Sequence, residues 1–142
     1  MAEHPVKLVL DTSIYIPFIN QGIAHPLIEN HHKRPLIYMS AVVLEELYAG
    51  ALDIHSVKLL DKMYDTFSGM SRLITPDAVD WQKTGKVVAQ LGNKYGFESL
   101  YLSRLTNDVL IATTACKIGA VVATNNKKDF FRIQEYFDFK IY

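Results

Sequence analysis

The chain has 142 residues, which suits one domain and leaves little for a second, so we expect a single domain over residues 1–142. Its 15 basic and 15 acidic side chains cancel, and this neutral total neither favours nor excludes a nucleic-acid partner. The single cysteine, Cys116, excludes an internal disulfide and a cysteine-based zinc site. No apolar run approaches the ~18 residues that span a bilayer, and the first residues lack a signal-peptide pattern. We therefore expect a cytoplasmic protein with no membrane partner.

Short apolar runs alternate with longer helical patterns along the chain. Residues that favour helix starts precede several of the patterns, among them Ser40, Asp53 and Thr75. In chain order, we predict a strand at 6–10, helices at 14–19 and 24–31 with breaks at Pro17, Gly22 and Pro26, a strand at 36–39, helices at 42–49 and 54–67, a strand at 73–74, helices at 76–95, 100–105 and 108–118, a strand at 120–123, a helix at 127–133 and a strand at 137–141.

This alternation predicts an α/β fold. Short buried strands separated by helices favour a mostly parallel central sheet with helices on both faces, that is, a three-layer α/β/α architecture. In such sheets, ligands bind in the crevice beyond the carboxyl ends of the strands. The polar residues that follow the strands are therefore the first candidates for a functional site.

Two carboxylates in the first third of the chain are candidates. Asp11 directly follows the first strand, where it would project into the crevice, but it could equally cap the helix that begins near Ser13. Glu46 flanks the apolar face of the helix at 42–49, whereas Glu45 lies about 100° around the helix and points towards solvent. A carboxylate at the border of a buried face is costly unless it is paired or binds a metal.

Further candidates lie in the last third of the chain. Asp108 is predicted to open the helix at 108–118, on its buried stripe, where the helix dipole would stabilise an anion by about 0.3–1 kcal/mol. Thr124, Asn126 and Asp129 follow the strand at 120–123 and could instead form a plain polar turn and helix cap. Thr124 and Asn126 could orient a ligand or a water molecule without being ionised.

Several acids from distant segments make a stronger case together than any one alone. Magnesium prefers oxygen ligands and takes only a few carboxylates. It can polarise a phosphodiester and lower the pKa of a bound water molecule. Without a cation, clustered carboxylates would repel one another and raise each other's pKa.

These residues fall into motifs through which the chain resembles PIN-domain nucleases, most closely the VapC-type toxins of toxin–antitoxin pairs. The order and spacing of the motifs cover nearly the whole chain. The matching segments are Leu10-Asp11-Thr12-Ser13, Glu46-Leu47-x-x-Gly50, Asn107-Asp108-x-x-Ile111-Ala112 and Thr124-x-Asn126-x-x-Asp129-Phe130.

The resemblance implies an α/β/α PIN-like fold, a Mg²⁺ or Mn²⁺ ion and endonucleolytic cleavage of RNA. By position in the motifs, Asp11, Glu46 and Asp108 would be the acidic metal ligands. Asn126 would complete the catalytic set, at a position where many members carry a fourth acid and others an asparagine. Asp129 would then be structural. Thr12, Ser13 and Thr124 would support the site, and Thr12 or Ser13 could touch a metal-bound water or a phosphate.

The resemblance also implies partners besides RNA. VapC-type toxins bind a cognate antitoxin, which inserts a basic side chain into the acidic site, and they often form homodimers. Three alternatives stay open: a non-toxin PIN domain in RNA processing, a module that binds RNA or protein without cutting, and a phosphatase with Asp11 as nucleophile. The phosphatase would need Asp-x-Asp, and Ser13 occupies its second acidic position. Basic residues that could contact RNA phosphates are Lys33-Arg34, Arg104, Lys127-Lys128 and Arg132, with Lys127 and Lys128 the best placed.

Overall fold

Five parallel strands form the central sheet in the computed structural model, which describes residues 4–29 and 35–142, without the side chains of residues 28 and 29. Strand β1 (Lys7–Leu10) lies at the centre, between β2 (Leu36–Ser40) and β4 (Val121–Ala123). The edges are β3 (Leu73–Ile74), beside β2, and β5 (Lys140–Ile141), beside β4. The prediction of a mostly parallel sheet is confirmed, since every observed strand pairing is parallel.

Helices connect the strands and cover both faces of the sheet. From β1 the chain proceeds outwards to β2 and β3, and later from β4 to β5 on the opposite side. Right-handed crossovers in these two directions place their helices on opposite faces, which gives the predicted three-layer fold. The helices are α1 (Thr12–Gln21), α2 (Pro26–Glu29), α3 (Ala41–Ala49), α4 (Ile54–Gly69), α5 (Ala78–Tyr95), α6 (Ser99–Lys117) and α7 (Lys127–Ile133).

The core is built from the central strands and the second half of α6. Val9 and Leu10 on β1 and Val122 on β4 are fully buried. On α6, every residue from Val109 to Ala115 is buried, which explains the continuous apolar run in this part of the sequence. In the described ranges, no helix is both long and apolar enough to cross a membrane.

The predicted break at Pro17 is wrong, because α1 continues through this residue to Gln21. Proline lacks an N–H, so it leaves the carbonyl of the residue four positions earlier, Ser13, without its usual helical donor. The side-chain amide of Asn125 lies 3.4 Å from that carbonyl and donates to it. The free carbonyl thus connects α1 to the loop after β4. The helix ends at Gly22, whose φ of 70° is the left-handed conformation that glycine adopts readily.

Several other predicted elements differ from those observed. The helix predicted at 76–95 begins at Ala78 and is capped by Asp77, not by Thr75. Helix α2 begins only at Pro26, where the ring of His25 accepts a hydrogen bond from the backbone N–H of Leu27, and residues 30–31 of the predicted helix lie outside the described ranges. The helices predicted at 100–105 and 108–118 form one continuous helix, α6. Strand β5 is shorter than the predicted 137–141, and just before it the Gln134 side chain donates to the carbonyl of Phe139.

Candidate active site

Asp11 is the last residue before α1 and caps it, so the predicted capping role is confirmed. Its backbone N–H donates to the Ala123 carbonyl at 3.0 Å, which places it at the carboxyl edge of β1 and β4. One carboxylate oxygen accepts from the N–H of Ser13 at 3.0 Å and from the Ser13 hydroxyl at 2.5 Å. The other accepts from the Thr124 hydroxyl at 2.5 Å. Asp11 is therefore fixed by three donors while only 4% exposed.

Burial dominates the electrostatics of Asp11. Removal from water raises the pKa of its carboxyl above the usual range, and the hydrogen bonds from Ser13 and Thr124 offset only part of this effect. Ser13 also accepts a hydrogen bond from the backbone N–H of Asn125 at 2.9 Å. The predicted supporting residues Ser13 and Thr124 thus hold Asp11 in place and connect it to the loop after β4.

Glu46 lies on α3 at the border of the buried face, as predicted, and is half-buried, whereas Glu45 is exposed. The Thr12 hydroxyl donates to its Oε1 at 2.9 Å, which brings α1 and α3 together at the site. Burial raises the pKa of Glu46. The side chain of Asn107 lies beside it and lowers that pKa, while the charge of Asp11 raises it. Glu46 and Asp11 are therefore close enough to repel each other.

Asp108 lies in the middle of α6 and does not open a helix, so the predicted stabilisation by a helix dipole is wrong. Its pKa is raised to about 8, first by burial and then by the negative charges of Asp11, Asp129 and Glu46. Arg104, one turn earlier on α6, lowers it only in part. The charges of Asp11 and Glu46 both act on Asp108, so the three predicted metal ligands interact electrostatically.

Asn126 and Asp129 are linked after β4. Asn126 is exposed, its backbone N–H donates to the Thr124 hydroxyl at 2.8 Å, and its side-chain amide donates to Asp129 Oδ2 at 2.9 Å. The Tyr101 hydroxyl donates to the other oxygen of Asp129, and Arg132 lies 3.8 Å from that oxygen. The amide of Asn126 thus turns towards Asp129. The residue after Asp129, Phe130, is fully buried.

The donor set suits a hard divalent cation. Asp11, Glu46 and Asp108 offer carboxylate oxygens, and Mg²⁺ takes one or two of these while it keeps several waters. In the part of the chain that the structure describes, no three Asp, Glu, His or Cys side chains stand close enough together to form a ready coordination shell. Asp11 and Glu46 instead accept hydrogen bonds from neighbouring hydroxyls. The three carboxylates fit a magnesium-type ion because they offer the oxygen ligands that it prefers. A bound cation would also relieve the repulsion between their negative charges.

Comparison with known families decides the relationship. A family profile described as the PIN domain matches residues 8–136, which is most of the chain. The chain belongs to the PIN domain family. This match spans all four motifs on which the resemblance rests. A search of curated proteins finds no significant match.

Solved structures agree with this assignment. The chain is 25% identical to a chain of DNA-bound VapBC from Salmonella typhimurium, with a TM-score of 0.68 and 96% and 97% of the two chains covered. VapBC2 from Rickettsia felis, bound to a promoter DNA fragment, gives 26% identity, a TM-score of 0.65 and coverages of 96% and 98%. VapBC-5 from Mycobacterium tuberculosis, of the VapBC family of toxin–antitoxin systems, shares the fold at 19% identity, a TM-score of 0.61 and coverages of 96% and 98%. The predicted resemblance to PIN domains of the VapC type is confirmed.

Sequence reasoning missed two residues beside the acids: Asn107 next to Glu46, and Tyr101 next to Asp129. Arg132, which the sequence suggested as an RNA contact, lies instead beside Asp129. A signal for Asn107 existed, since it directly precedes Asp108 in a motif. The contact of Asn107 with Glu46 was not predicted, because a helix was expected to start at Asp108. No local pattern pointed to Tyr101, because its partner Asp129 is distant in the sequence.

Proposed function

We propose that this PIN domain is a Mg²⁺- or Mn²⁺-dependent endoribonuclease that acts as the toxin of a toxin–antitoxin pair. The observation that carries the proposal is the position of Asp108, where burial and the negative charges of Asp11, Asp129 and Glu46 raise its pKa to about 8. A site that disfavours its own ionised form in this way gains most from a bound cation. We also propose that residues 1–142 form a single PIN domain.

In the proposed reaction, Asp11, Glu46 and Asp108 would hold the metal, and a bound metal would lower the pKa of a water molecule and offset charge on the phosphodiester. Ser13 and Thr124 fix the carboxylate of Asp11, and Thr12 fixes that of Glu46. Asn126 stands at the rim, where its amide donates to Asp129, and this favours an orienting role over metal ligation. Fixed carboxylates keep the reacting groups positioned without reorganisation during the reaction.

A phosphatase mechanism fits these contacts less well. Ser13, at the position of the second acid, donates to Asp11 and offers no acidic group for proton transfer to a leaving group. A covalent phosphate trapped on Asp11 would contradict this preference.

The similarity to VapBC chains supports the proposed partners. We expect a cognate antitoxin that covers the acidic site, a homodimer in solution, and a cytoplasmic location, where RNA substrates lie. Co-expression with the product of the neighbouring open reading frame tests the antitoxin: a stable complex that blocks cleavage supports it. No complex would point to the non-toxin alternative, a PIN domain in RNA processing.

The nuclease activity is tested with the purified protein and transfer, ribosomal and messenger RNA, in Mg²⁺, in Mn²⁺ and in EDTA. We expect internal cleavage with either metal and none in EDTA. Cleavage that persists in EDTA would contradict metal dependence. Binding of RNA without products in any condition would favour the non-cleaving module.

A further inference from the structure

Arg104 is a cation at the rim of the acidic site. It precedes Asp108 by four residues on α6, and residues with this spacing lie on one face of a helix. Its side chain is exposed, and its charge lowers the pKa of Asp108 against the effect of the surrounding carboxylates. The guanidinium is therefore near enough to act on the site and open enough to be reached from solvent.

This guanidinium lies beside the ring of Tyr101. The guanidinium carbon of Arg104, Cζ, lies 5.9 Å from the centre of the Tyr101 ring, within the range of a cation–π contact. Tyr101 is itself held, because its hydroxyl donates to Asp129 and its ring packs against Phe97 at a centroid distance of 4.5 Å. A guanidinium that already rests on a fixed ring loses less freedom when it binds a ligand.

Among the residues that the structure describes, no carboxylate forms an ion pair with Arg104. Arg132 differs, since it lies 3.8 Å from Asp129 and stacks over Tyr95 and Phe97 at 4.9 and 5.1 Å. Arg132 is thus a structural cation, whereas Arg104 can still bind an anion.

We propose that Arg104 binds a phosphate group of the RNA strand beside the acidic site. This proposal rests on the proposed function, of which it names a substrate contact. The planar fork of a guanidinium matches two oxygens of one phosphate. An RNA strand brings a negative charge with every nucleotide towards a site that already holds Asp11, Glu46 and Asp108. A cation on the same helix face as Asp108 offsets that repulsion where it is strongest.

The test is equilibrium binding of a labelled single-stranded RNA to the metal-free protein in EDTA, over a series of KCl concentrations. Arg104→Gln should weaken binding about 10-fold and reduce the slope of log affinity against log salt by about 0.7, the value for one phosphate contact on a single strand. Arg104→Lys keeps the charge and should retain the slope. One control should match the wild type: Lys86→Gln, at an exposed lysine on α5.

Unchanged affinity and slope in Arg104→Gln would overturn the proposal, and so would a wild-type protein that does not bind RNA. Binding is measured without metal, so its outcome is separate from that of the cleavage assay. A protein that binds through Arg104 but never cleaves would contradict the nuclease and leave this contact standing. If the Arg104→Gln variant binds and cleaves RNA as well as the wild type does, the proposed contact is contradicted and the nuclease activity stands.

Discussion

The hydroxyl of Thr124 donates a hydrogen bond of 2.5 Å to the carboxylate of Asp11, across 113 positions of sequence. Thr124 directly follows β4 and Asp11 directly follows β1, so the bond joins the carboxyl ends of two neighbouring strands. The same hydroxyl accepts from the backbone N–H of Asn126. One buried side chain therefore fixes both the first acid of the site and the loop that carries Asn126.

Replacement of Thr124 tests this relationship. Thr124→Val removes a buried donor and leaves two groups without their partner, so we expect a loss of about 1–3 kcal/mol in the free energy of unfolding. Thr124→Ser keeps the hydroxyl and should lose less. Urea denaturation of both variants measures the difference. A loss in Thr124→Val that is no larger than the loss in Thr124→Ser would contradict the role of the hydroxyl.

Asp108 should destabilise the metal-free protein at neutral pH. Its folded pKa of about 8 exceeds the ordinary 3.8, so between these values the folded protein binds more protons than the unfolded chain. The free energy of unfolding should therefore fall as pH rises from about 4 to about 8. Asp108→Asn removes the ionisable group, and we expect it to be more stable at pH 8 by on the order of 1–3 kcal/mol.

Urea denaturation in EDTA at several pH values provides the measurement. The curve of Asp108→Asn should be shallower than that of the wild type, and not flat, because the pKa of Asp11 and of Glu46 is also raised. Parallel curves would show that Asp108 does not carry the pH dependence.

Metal should stabilise the wild type and release protons. A ligand present at about 100 times its Kd adds about 2.7 kcal/mol to the free energy of unfolding. Mg²⁺ or Mn²⁺ should raise the Tm of the wild type in a scanning calorimeter but leave that of Asp108→Asn nearly unchanged. The gain should grow with pH up to about 8, since Asp108 must lose its proton to bind a cation. An equal rise in both proteins would place the metal elsewhere.

The fold followed from sequence because its signals are local. Apolar runs and helical periodicity mark where strands and helices alternate, and alternation alone predicts a parallel sheet. The continuity of α6 was missed because Thr106 and Asn107 resemble helix caps. In the structure, the Thr106 hydroxyl donates to the carbonyl of Leu102 within the helix, a bond that keeps a threonine inside a helix without ending it.

The candidate site could be predicted only in part. Asp11, Glu46 and Asp108 follow from strand ends, an amphipathic face and family motifs. The partners that orient them depend on three-dimensional contacts, such as Thr12 with Glu46 and Thr124 with Asp11. Pro17 shows the same limit, because the acceptor that it frees is used by a loop more than 100 residues later.

Two neighbouring glutamates provide a matched test of the site. Glu46→Gln removes the charge but keeps an oxygen that can accept from Thr12, so the fold should survive while RNA cleavage falls on the order of 100-fold or more. Glu45→Gln changes an exposed side chain on another face of the same helix and should cleave like the wild type. Single-turnover cleavage with circular dichroism as a folding check compares them. Similar losses in both variants would argue against a role for Glu46.

The most direct measurement is single-turnover RNA cleavage in Mg²⁺ by the wild type, Asp108→Asn and Asp138→Asn, the last a control at an exposed aspartate near β5. A metal ligand at Asp108 predicts that the wild type and Asp138→Asn cleave at similar rates. It also predicts that Asp108→Asn, although folded and at least as stable, loses about 100-fold or more of its activity. Cleavage by Asp108→Asn at the wild-type rate would contradict the proposed site.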